Sequence, residues 1–158
     1  MNKMTNKIMP CLWFDDRIEE AANYYVSVFK NAKITAMTRY GDAGPLPKGK
    51  VMVATLVIGG EEFMLLNGGP RFTFSEAVSF VVKCETQAEI DYYWKRLTED
   101  GGAESMCGWV KDKFGLSWQV VPTIIPELMQ DPKKADRVMK VVMGMRKLDI
   151  AAIEKAAA

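Results

Sequence analysis

The sequence contains no histidine. Imidazole is the side chain whose ordinary pKa lies nearest neutrality, so its absence removes the usual acid, base and metal ligand at once. Ser-His-Asp and Cys-His nucleophile activation and HExxH zinc sites are excluded with it. The remaining bases ordinarily titrate far from neutrality, carboxylates near ~4, thiols near ~8.5 and lysines near ~10.4. A catalytic base here needs a displacement of about two units, or a substrate that tolerates a weak base. Cysteine is scarce: Cys11, Cys84 and Cys107 are odd in number, far apart and form no CxxC. Zinc-ribbon and thioredoxin-like readings are therefore excluded, and a secreted disulfide framework is not expected. Neither sign of charge dominates, with 21 Lys+Arg against 20 Asp+Glu, which leaves no electrostatic footprint for nucleic acid or anionic lipid. No apolar run approaches the ~18 residues that span a bilayer. The run from Ile8 to Phe14 contains Pro10, ends in Asp15-Asp16 and is too short for a signal-peptide core. These absences point to a reduced, cytoplasmic compartment with no membrane or nucleic-acid partner.

What is present reads as one domain over 1–158, since a chain of this length buries roughly 70% of the surface its unfolded form exposes. Ile8 to Phe14 predicts a first strand. Asp16-x-x-Glu19 predicts a capping box for a helix whose inner face carries Ile18, Ala21, Ala22, Tyr25, Val28 and Phe29 at 3.6-residue spacing. A strand over Ile34 to Tyr40 and a glycine- and proline-rich loop from Gly41 to Gly49 come next. Val51 to Ile58 and Glu62 to Asn67 flank Gly59-Gly60, a hairpin signature. The pattern then restarts. Ala77 to Lys83 predicts a strand, Thr86-x-x-Glu89 a second capping box, and Ile90, Tyr93, Trp94 and Leu97 a helix face closed by Gly101-Gly102. Strands over Ser105 to Lys111 and Leu116 to Val121 are joined by an Asp112-Lys-Phe-Gly turn. The capping boxes begin 70 residues apart and each precedes a Tyr-Tyr pair, so the chain reads as two βαβββ-type modules over 7–70 and 77–122. In 123–158, Asp131-Pro132 predicts a helix start. Ala135, Val138, Met139, Val142 and Met145 give that helix one apolar face, and Asp149 caps a last short one. This helical tail is expected to cover a sheet or a subunit partner.

The run Pro10-Cys-Leu-Trp-Phe-Asp-Asp, then Glu19-Glu-Ala-Ala-Asn-Tyr-Tyr and Phe29-Lys-Asn, resembles the opening of vicinal oxygen chelate proteins. The closer likeness is to the PhnB-like branch labelled 3-demethylubiquinone-9 3-methyltransferase. Asn67-Gly-Gly-Pro, Ser79-Phe-Val-Val-Lys-Cys-Glu-Thr, Trp109-Val-Lys-Asp-Lys-Phe-Gly and Leu116-Ser-Trp-Gln-Val-Val-Pro continue it. The resemblance implies an α+β fold of the glyoxalase/bleomycin-resistance type. In that fold paired βαβββ modules form a cupped mixed sheet around a ligand cavity, commonly in a homodimer. It also implies a divalent metal held from three strands, at positions that carry over to Ile8, Ser79 and Gln119. Those residues offer no imidazole and no carboxylate, so the expectation is no metal and no cofactor. No GxGxxG turn receives a nucleotide-type cofactor for the methyl transfer in the label.

The candidate ligand contacts follow from alternation and chemistry. Gln119 and Ser117 share one face of the last strand, opposite Leu116, Trp118 and Val120. Gln119, Ser79 and Asn67 supply polar contacts, and Trp13, Trp109 and Trp118 supply stacking walls. Arg39, beside the Gly41 to Gly49 loop, offers an anion clamp. Cys107, with Lys111, Arg39 or a helix end to activate it, is the nucleophile candidate. Each has a plain structural alternative: a satisfied polar group, a core aromatic, a solvated ion pair, an inert thiol. Met139, Met143 and Met145 line either an adaptable groove or a packing surface. Three readings stay open: a metal-free binder of a small organic molecule, an enzyme with rebuilt chemistry, and an interaction module whose cavity is core.

Overall fold

The computed structural model describes residues 6–158, which fall into two compact units divided between Thr73 and Phe74. The first carries β1 (Cys11–Phe14), α1 (Ile18–Val28), β2 (Ala32–Arg39), β3 (Val51–Ile58) and β4 (Glu61–Asn67). The second repeats the order with β5 (Ser79–Cys84), α2 (Gln87–Thr98), β6 (Ala103–Glu104), β7 (Trp109–Lys111) and β8 (Ser117–Pro122). It continues into α3 (Ile124–Leu128), α4 (Pro132–Met143) and α5 (Ile150–Ala157). Strand orders are β1-β4-β3-β2 and β5-β8-β7-β6. In both sheets the first and last strands of the module pair in parallel and the others antiparallel. The repeat is thus one of topology, βαβββ twice over.

The first unit shows why its elements end where they do. β1 begins at Cys11 rather than at Ile8, which lies outside the strand and is 88% exposed. Pro10 has no N–H for a ladder and contributes only its carbonyl, which accepts from Met64 N at 2.9 Å. The β3–β4 hairpin turns on Gly59 and Gly60 at φ 57° and 88°, the paired positive angles of a type I′ turn. The capping box expected at Asp16 and Glu19 does not form. Arg17 is the N-cap and makes no side-chain cap bond, while Asp16 pairs with Lys50 at 2.9 Å and Glu19 with Arg39 at 3.3 Å. The cap comes from 49 residues away, where Asn67 Oδ1 accepts from Ile18 N at 3.1 Å. Ile18, Ala21, Ala22, Tyr25 and Val28 then bury against the face of the sheet that carries Ala54, Leu56 and Leu65.

In the second unit the box at Thr86 and Glu89 forms with both reciprocal bonds. Ile90, Trp94 and Leu97 pack on the face of Val82, Cys84, Val110, Trp118 and Val120. Of the strand expected over Ser105 to Lys111 only β7, Trp109–Lys111, is strand, and a further strand, β6, precedes that span at Ala103–Glu104. Cys107 and Gly108 adopt φ 59° and 81°, and Ser105 N returns to Trp109 O at 2.9 Å, so the chain reverses and β6 pairs with β7. This adds the strand that completes the second module. The tail has its own core of Val138, Val142, Leu148, Ile153 and Ala157. Asp131 and Asp149 cap α4 and α5 as expected. Gln87 fastens the tail to α2, donating to Leu148 O at 3.1 Å and accepting from Ile150 N at 2.9 Å.

Candidate functional site

Alternation along β8 sends Trp118 and Val120 toward α2 and leaves Ser117 and Gln119 on the opposite face. Register then assembles a polar group there. Ser79 lies opposite Ser117 on β5, while Trp109 lies opposite Gln119 and Lys111 opposite Ser117 on β7. Gln119 Nε2–H donates to Ser79 Oγ at 2.9 Å across the parallel pair. Beside this pair, a cavity of about 220 Å³ is lined by Glu76, Ala103, Glu104, Ser105, Trp109, Val110, Lys111 and Ser117. Lys111 Nζ sits on the Glu76 carboxylate, and that hydrogen bond, with a backbone bond and the lysine's charge, holds the Glu76 carboxyl below the usual range.

Ser117 is the anomaly of this face. It is 1% exposed, and its Oγ has no hydrogen-bond partner among the described residues. A buried hydroxyl left unpaired costs free energy that an alanine avoids. Ser117→Ala is therefore expected to raise the unfolding free energy by about 1 kcal/mol, as read by urea denaturation. A loss of stability instead would mean that the hydroxyl is already satisfied.

The other candidates separate. Trp118 is 4% exposed, and its Nε1–H donates to Asp112 Oδ2 at 2.9 Å on the helix side, away from Gln119. Asp112 Oδ1 accepts from Phe114 N at 2.9 Å and Leu116 N at 3.1 Å, so one buried carboxylate builds the turn and fixes the tryptophan. The Asp-x-x-Gly pattern carries that signal in the sequence. Nothing in the sequence singles out Glu76, because its partner is set by tertiary structure. Cys107 is half-buried ahead of β7, with its backbone N–H bound to Met145 O at 2.7 Å and its side chain against the tail core.

In the first unit, Trp13 lies on the sheet face opposite α1. Its Nε1–H donates to Gly69 O at 2.9 Å and its ring meets Phe72 edge-on at 5.0 Å. The ring lies so close over Gly68 that a Cβ there would come within 2.3 Å of it, which accounts for the first glycine of Asn-Gly-Gly-Pro. Arg39 and Asn67 come together in an open cavity of about 540 Å³ with Asp16, Glu19, Pro47, Lys48, Gly49, Lys50 and Val51. Its charges are all engaged: Arg39 holds Glu19 and Gly49 O, Lys50 holds Asp16, and Lys48 reaches Asp42 outside the lining. Asn67, 1% exposed, uses both ends of its amide structurally, accepting from Ile18 N and donating to Val51 O at 2.8 Å.

The thiols are free and differ in reach. Burial, with Glu89 nearby, pushes the Cys84 thiol well above its ordinary value, up to about 12. A folded pKa raised above the unfolded value means that the folded state retains the proton longer. The stability from this group is thus whole below the unfolded pKa and falls as pH rises toward the folded one. A thiol-exchange reagent at neutral pH is expected to label the exposed Cys11 and to reach Cys84 only on unfolding. Labelling of Cys84 in the native protein would contradict its burial.

Among the described residues no helix is long and apolar enough to cross a membrane, and none form a cluster of three or more Cys, Asp or Glu able to hold a metal ion. A family model described as 3-demethylubiquinone-9 3-methyltransferase matches residues 6–121. The PhnB protein from Bacillus cereus is 37% identical, over 75% of this chain and 100% of that one, with a TM-score of 0.68. Protein PA1353 from Pseudomonas aeruginosa is 27% identical over 75% of this chain and 98% of its own, with a TM-score of 0.62. The fosfomycin resistance protein FosX from Listeria monocytogenes, complexed with Mn(II) and sulfate, shares the fold alone. It is 12% identical over 81% of this chain and 98% of that one, with a TM-score of 0.55. No match was found among curated proteins. Two βαβββ modules of equivalent strand order are the glyoxalase/bleomycin-resistance architecture that the family resemblance implies. With a family match across most of its length, the chain belongs to the 3-demethylubiquinone-9 3-methyltransferase family, in the PhnB-like branch of the vicinal oxygen chelate superfamily.

Proposed function

We propose that this protein binds a small organic molecule on the open face of the second sheet, and does so without a divalent metal. The observation that supports this reading most is the Gln119–Ser79 hydrogen bond at 2.9 Å. At the positions that the family resemblance assigns to metal ligands, the chain has an alkyl side chain at Ile8 and a neutral amide and hydroxyl engaged with each other. Divalent ions are held by carboxylates, imidazoles or several oxygens together, and these residues do not fit one. They fit orientation of a neutral or anionic organic group, as the few polar residues of a ligand cavity commonly do. Trp109, in register with Gln119, supplies the flat apolar wall.

The methyl transfer named in the family description requires a methyl donor. The strand-to-helix turns, Asp15 to Arg17 and Glu85 to Thr86, contain no glycine to admit a nucleotide-type phosphate or ribose closely. Binding is therefore the better reading, with the chain as a cytoplasmic homodimer. Native mass spectrometry against the denatured mass is the test. A dimer carrying an organic adduct with no metal increment is the expected result, and Gln119→Ala is expected to lower adduct occupancy by roughly tenfold. A metal at one per subunit would overturn the metal-free reading. An adduct unaffected by Gln119→Ala would move the site off this face.

A further inference from the structure

We infer that the cavity beside Gln119 and Ser79 is a subsite for the carboxylate of an organic acid, with Ser117 and Lys111 as its anchors; the inference rests on the sheet-face reading above and specifies its ligand. Two hydrogen-bond donors line the cavity, and a third lies beside them on the next strand. Ser117 Oγ–H is buried without a partner among the described residues and lines the cavity. Lys111 is its cross-strand neighbour on β7, within about 5 Å between Cβ atoms. Ser79 is its neighbour on β5, and because its oxygen accepts from Gln119, its own O–H proton is left to donate.

A cluster of hydroxyl and ammonium donors selects an anionic oxygen acceptor, since charge-assisted bonds are the strong ones. The two acids on the cavity wall do not reverse this. Glu104 takes the Trp94 Nε1–H at 2.8 Å, and its other oxygen lies 3.8 Å from Arg146. Glu76 occupies Lys111, but its side chain is 62% exposed, and ion pairs that open to solvent are readily exchanged. The Glu76 carboxylate thus shows the kind of group that Lys111 takes. A ligand carboxylate would replace it while also reaching the buried hydroxyl, which Glu76 leaves unpaired. Trp109 on the cavity wall suits a flat body behind the acid group.

Benzoate is the probe, with neutral benzamide and cationic benzamidine as its counterparts, each titrated into the intact 15N-labelled protein. Benzoate is expected to bind best and to shift the amide resonances of Trp109, Lys111 and Ser117. Lys111→Met and Ser117→Ala are each expected to weaken it by roughly tenfold. Glu76→Gln, which frees the lysine, is expected to tighten it by about threefold, a gain that general damage to the fold does not produce. Equal binding of benzamide, preferential binding of benzamidine, no binding of benzoate, or tightening absent in Glu76→Gln would each overturn the carboxylate assignment. The broader reading fails separately, when the native adduct survives Gln119→Ala.

Discussion

Asn67→Ala is expected to lower the unfolding free energy by about 3 kcal/mol, the largest effect of any polar substitution in the first unit. The side chain is 1% exposed and joins three elements: it caps α1 through Ile18 N, ends β4, and donates to Val51 O on β3. Truncation leaves a buried N–H and a buried carbonyl without this partner, and each such group costs about 1–3 kcal/mol. Asn67→Asp keeps the acceptor for Ile18 N and suits the positive end of the helix. It also sets a second acceptor against the Val51 carbonyl, so it is expected to recover only part of the loss. Urea denaturation of the two variants decides the matter. Unchanged stability with lost ligand binding would make Asn67 a ligand contact rather than a cap.

Gly108→Ala is expected to cost about 4 kcal/mol by strain and overpacking together. Gly108 sits at φ 81°, and a Cβ there would lie 2.8 Å from the Val120 carbonyl and 3.1 Å from Leu148. Neither neighbour gives way cheaply: the first is strand backbone and the second belongs to the tail core. Displacement also threatens the bond from Gly108 N to Arg146 O at 2.8 Å, one of two that seat the tail loop on the start of β7. Gly115→Ala separates the two causes. It has φ 83° but nothing within 4 Å of an added Cβ, so only the strain of about 1 kcal/mol applies. Equal losses for the two variants would show that the close approach at Gly108 is not what constrains it. Hydrogen exchange is expected to show α4 and α5 opening first in Gly108→Ala.

The Gly59-Gly60 hairpin, the Thr86 box and the Asp131 and Asp149 caps are legible because donor and acceptor lie within four residues of each other. The Asp16 box has the same local pattern and fails, because Lys50 and Arg39 draw its two carboxylates away and Asn67 takes the cap. Pairing Ser79 with Gln119 on one face follows from alternation plus a parallel register. The unpaired state of Ser117, the lysine above it and the glutamate on that lysine do not follow from either.

By itself the sequence determined the class of the fold, the repeat of two modules, the family, and the chemistry excluded by the lack of histidine. All of these rest on residue identity, on short-range periodicity, or on motifs read in order along the chain. Tertiary structure alone decided which polar groups are spent and which are left. Asn67 and Trp118 are held in structural bonds, while Ser117 keeps an unanswered hydroxyl beside a cavity. The reason is that a hydrogen bond's partner is chosen by register and packing among residues tens of positions apart, and no local pattern encodes which of several donors arrives first.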